Sequence, residues 1–481
     1  MTWHAAYRER VLEPDYTFAS RHLKDHLIDA LVAHVRTVAE LPAARERGGV
    51  VDALEGALVR VRSAPTPPYA PTVPDLYYAV QHVVAESVGE EALGWLRLGL
   101  SRNDLDMTIY KLRAREVTLA TIRGLLAVQA ALLDQADAHV DSVMVAYTHH
   151  QPGQPTTVAH YLAAVASVVE RDVERALQAF ARLDTSPMGA AALAGSSHGL
   201  DRDLTARLLG FAGPVVSTYD AVAASDWQID VANVAVSVSI TMSRLVCDLV
   251  AWSSQGLLRV GDGLTQGSSI MPQKRNPVAL EHARTRFSRA LGAAQSIVLS
   301  SHNIPFGDLN DFGPDVQGSL QTLHNQLSGG LALVQVCLAE STFDDDALTR
   351  SLERTNTTAT ELADELVRIG GCPFQDAHRW VGALVARMAN EDRPFALAEP
   401  ADLIAVGGPT LHPDVLRDAV SPHAFVARRT GLGGPAPESV RVHLRALRDR
   451  SDEYHGAVDH ITARIEHAAK SLRASRKDVT S

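Results

Sequence analysis

VANVAVSVSITMSRLVCDLVAW, residues 231–252, is the most apolar stretch of the chain, and its reading decides the fold. A membrane span is excluded because Asn233, Ser237, Ser239, Thr241, Arg244 and Asp248 interrupt it, and a lipid-facing helix does not carry such residues. Val231, Ala235, Val238, Met242, Leu245, Leu249 and Trp252 recur at alternating spacings of four and three. That is the seam of a helix packed in a bundle.

Similar seams lie on both sides, over 109–140, 158–183, 278–298 and 316–338. Five helices of more than ~20 residues, against a usual ~11–12, predict an all-α fold built on a long central bundle. Strand-like alternation is scarce. A proline-rich stretch at 64–75 and Gly/Pro-rich breaks at 407–415 and 430–438 flank the bundle. They predict an N-terminal domain over 1–104, a central bundle over 105–355 and a smaller helical C-terminal domain over 356–481. The acidic FDDDAL at 343–348 reads as a helix N-cap, where carboxylates suit the dipole.

With 45 basic and 56 acidic residues, a net charge of -11 disfavours attraction to nucleic acid or an anionic membrane. A small-molecule partner is expected instead. Cys247, Cys337 and Cys372 are widely spaced and lack metal-ligand or disulfide patterning, which fits a reducing cytosol. The opening MTWHAAYRERVLEPDY has charges and a proline where a signal peptide needs an apolar run.

Three polar clusters punctuate the helices: SRND at 101–104, YTHHQP at 147–152 and GDGLTQGSSIMPQKRNP at 261–277. Taken singly, each has a plain structural reading as a cap, a packed histidine or a linker. Taken together they supply a guanidinium and an amide for a carboxylate, a histidine, paired hydroxyls and a Lys/Asn pair. That set suits removal of a proton from a carbon next to a carboxylate.

GSSIMPQKRNP (267–277) closely resembles the signature of the aspartase/fumarase superfamily of lyases. SRND (101–104), YTHHQPGQPTT (147–157), SPMGAAALAGSSHGLDR (186–202) and VARRTGLGGPAP (426–437) resemble its argininosuccinate lyase-like branch. The resemblance implies a carbon–nitrogen lyase that releases fumarate through an aci-carboxylate. It also implies a homotetramer whose active sites are built from three chains, and it suggests no metal or organic cofactor. Proton removal places a second charge on the carboxylate, so the site needs a strong base and several N–H or cationic donors.

Carried over residue by residue, the resemblance makes Ser268 the general base, with Lys274 and Asn276 binding the reacting carboxylate and Gln273 among the substrate-binding residues. The glycines at 261, 263 and 267 are expected to let this loop close over substrate. Thr148 and His149 match the Thr-His pair, and Glu281 matches the acid that orients the histidine. Ser101, Arg102 and Asn103 are expected to grip a substrate carboxylate. His150 and His160 have no counterpart and read as structural.

Two segments depart from the argininosuccinate lyase pattern. The usual His-Thr-Gly-Arg before SRND is here Arg97-Leu98-Gly99-Leu100. The binding segment LPxTYNxDLQED is here IPFGDLNDFGPD (304–315), which keeps Asp311 and Asp315 but places Asp308 and Gly313 at the Tyr and Gln positions. Lost hydrogen-bond partners discriminate strongly. The expected substrate is therefore another N-substituted aspartate, resembling ethylenediamine-disuccinate-type aminocarboxylates, with Asp308 and Asn310 facing the amine. Argininosuccinate itself and a non-catalytic, crystallin-like role are the alternatives.

Overall fold

The computed structural model describes residues 3–474. Its five predicted seams form α1 (Arg102–Ala138), α2 (Val158–Leu183), α3 (Asp226–Ser254), α4 (Val278–Ser300) and α5 (Pro314–Ala339), and α6 (Pro437–Arg473) follows near the C-terminus. The fold is all-α, as the periodicity predicts. α1 packs on α2 and α5, while α4 lies between α3 and α5. The seam of α3 is buried along its length. By length and composition alone, α1 and α3 could each cross a membrane; here both are bundle helices packed on their neighbours.

α1 begins at Arg102, not at 109, because the chain supplies a cap there. Ser101 accepts from the Asn103 amide at 3.3 Å, and its own amide donates to Asp104 at 3.1 Å, a reciprocal capping box. The acidic run after α5 also caps: Asp344 accepts from the Ala347 amide at 2.8 Å and opens a helix over Asp345–Glu353.

The bundle has two poles. Near the C-terminal end of α1, Gln135 donates to the Leu338 carbonyl at 2.8 Å, and His139 and Trp252 both pack on Phe343. Near its N-terminal end, Gln228 donates to the Phe312 carbonyl at 2.7 Å, and Met107 approaches Gly313. α1, α3 and α5 therefore run one way, and α2 and α4 return.

A hairpin joins α1 to α2: β1 (Val143–Thr148) pairs antiparallel with β2 (Gln151–Thr157). Strands are scarce overall, as expected, and this hairpin is the longest pairing among the described residues. Its turn is His149-His150, with φ of 54° and 59°. A two-residue hairpin turn needs positive φ, which Asn-Gly normally provides, so the usual sequence signal is missing.

Helices Lys24–Val38, Gly48–Ser63 and Leu76–Val88 form an N-terminal layer that packs on α1 through the first of them. In that layer Arg36, paired with buried Glu55 at 2.6 Å, also donates to the carbonyls of Ser471 at 2.8 Å and Ala474 at 2.7 Å. α6 lies on α1 and α2. A separate apolar core, including Leu362, Leu384, Phe395 and Leu416, holds the segment between α5 and α6 together.

Candidate active site

The loop 261–277 is more ordered at its base than a flexible linker. Gln266–Gly267 pairs antiparallel with Arg275–Asn276, and Arg275 contacts Asp262. Gly261 is a packing position: a Cβ there would lie 2.9 Å from the Glu340 carbonyl. Gly263 and Gly267 have open space and negative or extended φ. Of the three glycines expected to give the loop freedom, the first instead fixes its stem to the end of α5.

Ser268 stands just beyond the paired base. Its Oγ accepts from the amides of Ile270 at 3.3 Å and Met271 at 3.1 Å. Two backbone donors thus point at the atom that would become negative on losing its proton. Gln273 and Lys274 are exposed, Asn276 is half-buried in the pairing, and Glu281 is on the first turn of α4.

Thr148 and His149 are exposed at the tip of the hairpin. A non-glycine residue with left-handed backbone is strained, and two in succession are more so. His160, read as structural, joins the hairpin to the segment before α6. Its ring bonds Thr156 Oγ1 at 2.8 Å and the Gly433 carbonyl at 2.9 Å.

At the opposite pole, SRND divides its labour. Asp104 is fully buried and accepts from the amides of Gly189 at 2.8 Å and Ala191 at 3.0 Å, as well as from Ser101, so it pins the loop 186–202 to α1. Gly99 serves the same junction: its φ is +68°, and a Cβ would fall 2.7 Å from Leu200. Burial lifts the Asp104 carboxyl to about 6, against the pull of its amide donors.

Ser101 Oγ donates to the Asn103 side chain at 3.0 Å. Arg102 is already engaged, through Nη1 with Asp75 and through Nη2 and Nε with Asp106 at 2.7 and 3.2 Å. Burial opposes its charge, but Asp106 and Asp75 keep the guanidinium above its ordinary pKa. A substrate carboxylate therefore has to share this guanidinium or displace one of the aspartates.

Asp308 and Asn310 line a cavity with Arg102. Burial raises the Asp308 carboxyl, and Arg102 pulls it back. Asp15, Asp75 and Gln317 line the same cavity and were not singled out from the sequence. Asp106 alone had a legible signal, its i,i+4 spacing from Arg102.

The structure brings Ser101, Arg102, Asn103, Asp308 and Asn310 together. It places Thr148, His149, Gln273, Lys274, Asn276, Ser268 and Glu281 at the other pole. α1 has 37 residues and spans about 55 Å, so one chain does not unite the two sets. Among the described residues no hydrogen bond or ion pair links His149 to Glu281 or Ser268.

A family profile described as Lyase matches residues 71–292, and one described as Argininosuccinate lyase C-terminal matches 356–427. The chain is 34% identical to argininosuccinate lyase 2 of Agrobacterium fabrum, over 98% of this chain and 95% of that protein. It is 35% identical to the argininosuccinate lyase of Methanoculleus marisnigri, over 78% and 77%. Among solved structures, EDDS lyase in complex with formate superposes with a TM-score of 0.84 at 25% identity, covering 98% and 95%. A variant of EDDS lyase with bound fumarate gives 0.85 at 24%, covering 100% and 96%.

Fold and comparisons together define a carbon–nitrogen lyase. Within that class, the chain belongs to the aspartase/fumarase superfamily, in its argininosuccinate lyase-like branch.

Proposed function

We propose that this lyase eliminates fumarate from an N-substituted aspartate, with Ser268 as the base. The observation that carries the reading is the pair of amides, Ile270 and Met271, directed at Ser268 Oγ. A serine hydroxyl is too weak an acid to ionise unaided near neutrality, and donors already in place lower the cost of its alkoxide. Ser268 takes the proton from the carbon beside the carboxylate, and that electron pair forms the new double bond. The C–N pair leaves on nitrogen, which gains one proton. Fumarate and the free amine are the products.

Lys274 and Asn276 hold the carboxylate on which charge builds, and the N-terminus of α4 adds its dipole. His149, oriented by Glu281, serves the departing nitrogen. Because the two residue sets lie at opposite poles, the complete site forms where poles of different copies meet, and we propose a homotetramer on that basis. Ser101, Arg102 and Asn103 of one copy then face Ser268 and His149 supplied by others.

Argininosuccinate is the second reading, favoured by the relatives that carry that enzyme's name. Fumarate absorbance separates the two. The protein is incubated with argininosuccinate, and separately with fumarate and a panel of amines. Loss of fumarate with an amine other than arginine is the expected result. Rapid argininosuccinate cleavage would establish the second reading, and no change with any partner would overturn both.

A further inference from the structure

At the SRND pole a cavity of about 570 Å³ opens between the N-terminal segment, the first turns of α1 and the start of α5. Its lining is two-sided. Trp3, Tyr7, Phe18 and Leu23 form an apolar wall, while Asp15, Asp75, Asp106, Asp308 and Asp315 supply five carboxylates. Among the described lining residues Arg102 is the one basic side chain, and Asp75 and Asp106 already hold it. Asp15, Asp308 and Asp315 form no ion pair among the described residues.

A second observation points the same way. Gln317, only 2% exposed, spends its amide nitrogen on the Gly313 carbonyl at 2.9 Å, and its Oε1 has no partner. A buried acceptor without a donor is costly, and ionised carboxylates are acceptors only. The charged groups of the wall are thus mostly acceptors, five carboxylates against one guanidinium that two of them already hold. Among the described residues, no group of His, Cys, Asp or Glu is arranged to hold a metal ion. The fitting occupant is an organic cation rich in N–H groups with an apolar spacer to lie along Trp3 and Tyr7.

We propose that the leaving amine is a cationic aliphatic amine or guanidine that carries no carboxylate of its own. This rests on the elimination proposed above and narrows it. An α-carboxylate in this cavity would meet five carboxylates of this chain against one guanidinium, which Asp75 and Asp106 already hold. Arginine, and amines that bear succinyl or acetate arms, are disfavoured on that ground, while their carboxylate-free counterparts are accepted.

Matched pairs test this without relying on turnover. Agmatine and arginine differ by one carboxylate, as do putrescine and ornithine. Each is titrated calorimetrically into the full-length assembled protein carrying Ser268→Ala. The decarboxylated member of a pair should bind at least ~10-fold more tightly, since like charge in a site is an effective discriminator. Asp308→Asn, and independently Asp15→Asn, should weaken agmatine ~10-fold or more and leave arginine little changed. Equal or tighter binding of arginine, or no binding of either amine, would overturn the proposal. Agmatine that binds but never adds to fumarate in the unsubstituted protein would keep the cavity assignment and sink the elimination reading. Fumarate consumed with arginine and not with agmatine would do the reverse.

Discussion

A hydroxyl becomes a base only where something else holds the charge it acquires, and in the proposed reaction the Ile270 and Met271 amides do so for Ser268. Replacing it with Ala should lower turnover by ~10²–10⁴-fold or more while the thermal unfolding midpoint stays unchanged. Turnover within a few-fold of the original would refute its role as base. Ser268 could be proposed from the sequence because its motif is specific; the two amides could not, since loop geometry leaves no residue-type signal. Asp104 shows the opposite case, a motif residue used for architecture. Its folded value of about 6 lies above the ordinary 3.8, so the folded state holds the proton more tightly. The stability this gives is full below about pH 4 and is lost as pH rises through 6. Relative to Asp104→Asn, the folding free energy of the unsubstituted protein should fall by on the order of 1–3 kcal/mol between pH 4 and 7. A difference that stays flat across that range would show that its three amide donors, not burial, dominate.

Among the elements, the long helices were readable because each buries a continuous stripe, and the periodic signal survives over twenty or more residues. The β1–β2 hairpin was not. Pro152 and Pro155 argue against a strand, and His149-His150 replaces the glycine that would announce the turn. Such a turn places an imidazole at the tip at the cost of left-handed strain. His150→Gly should therefore stabilise the protein by roughly 0.5–1 kcal/mol in denaturant titration and keep turnover. His149→Gly should stabilise to a similar degree but reduce turnover ~10²-fold or more. Equal kinetic losses in the two variants would remove the distinction drawn between them.

For the whole molecule, the polar clusters could be found in the sequence but their separation could not, because it depends on which way each helix runs. In the homotetramer proposed above, two poles about 55 Å apart on α1 imply that defects at different poles can be relieved by mixing. Ser268→Ala and Arg102→Gln, each nearly inactive alone, should regain activity when unfolded and refolded together, as mixed assemblies create sites with both residues intact. Activity no higher than either parent would place the whole site within one chain. The acidic cavity was equally hidden: Asp15, Asp75 and Asp308 are far apart along the chain and meet only after the N-terminal segment folds back on α1. Arg36 extends that dependence to time. Its guanidinium waits on carbonyls at 471 and 474, which lie 435 and 438 residues further along the chain. The N-terminal layer therefore emerges early but completes its hydrogen bonding only once the end of α6 has been made, and a chain truncated before α6 ends leaves a buried cation short of acceptors.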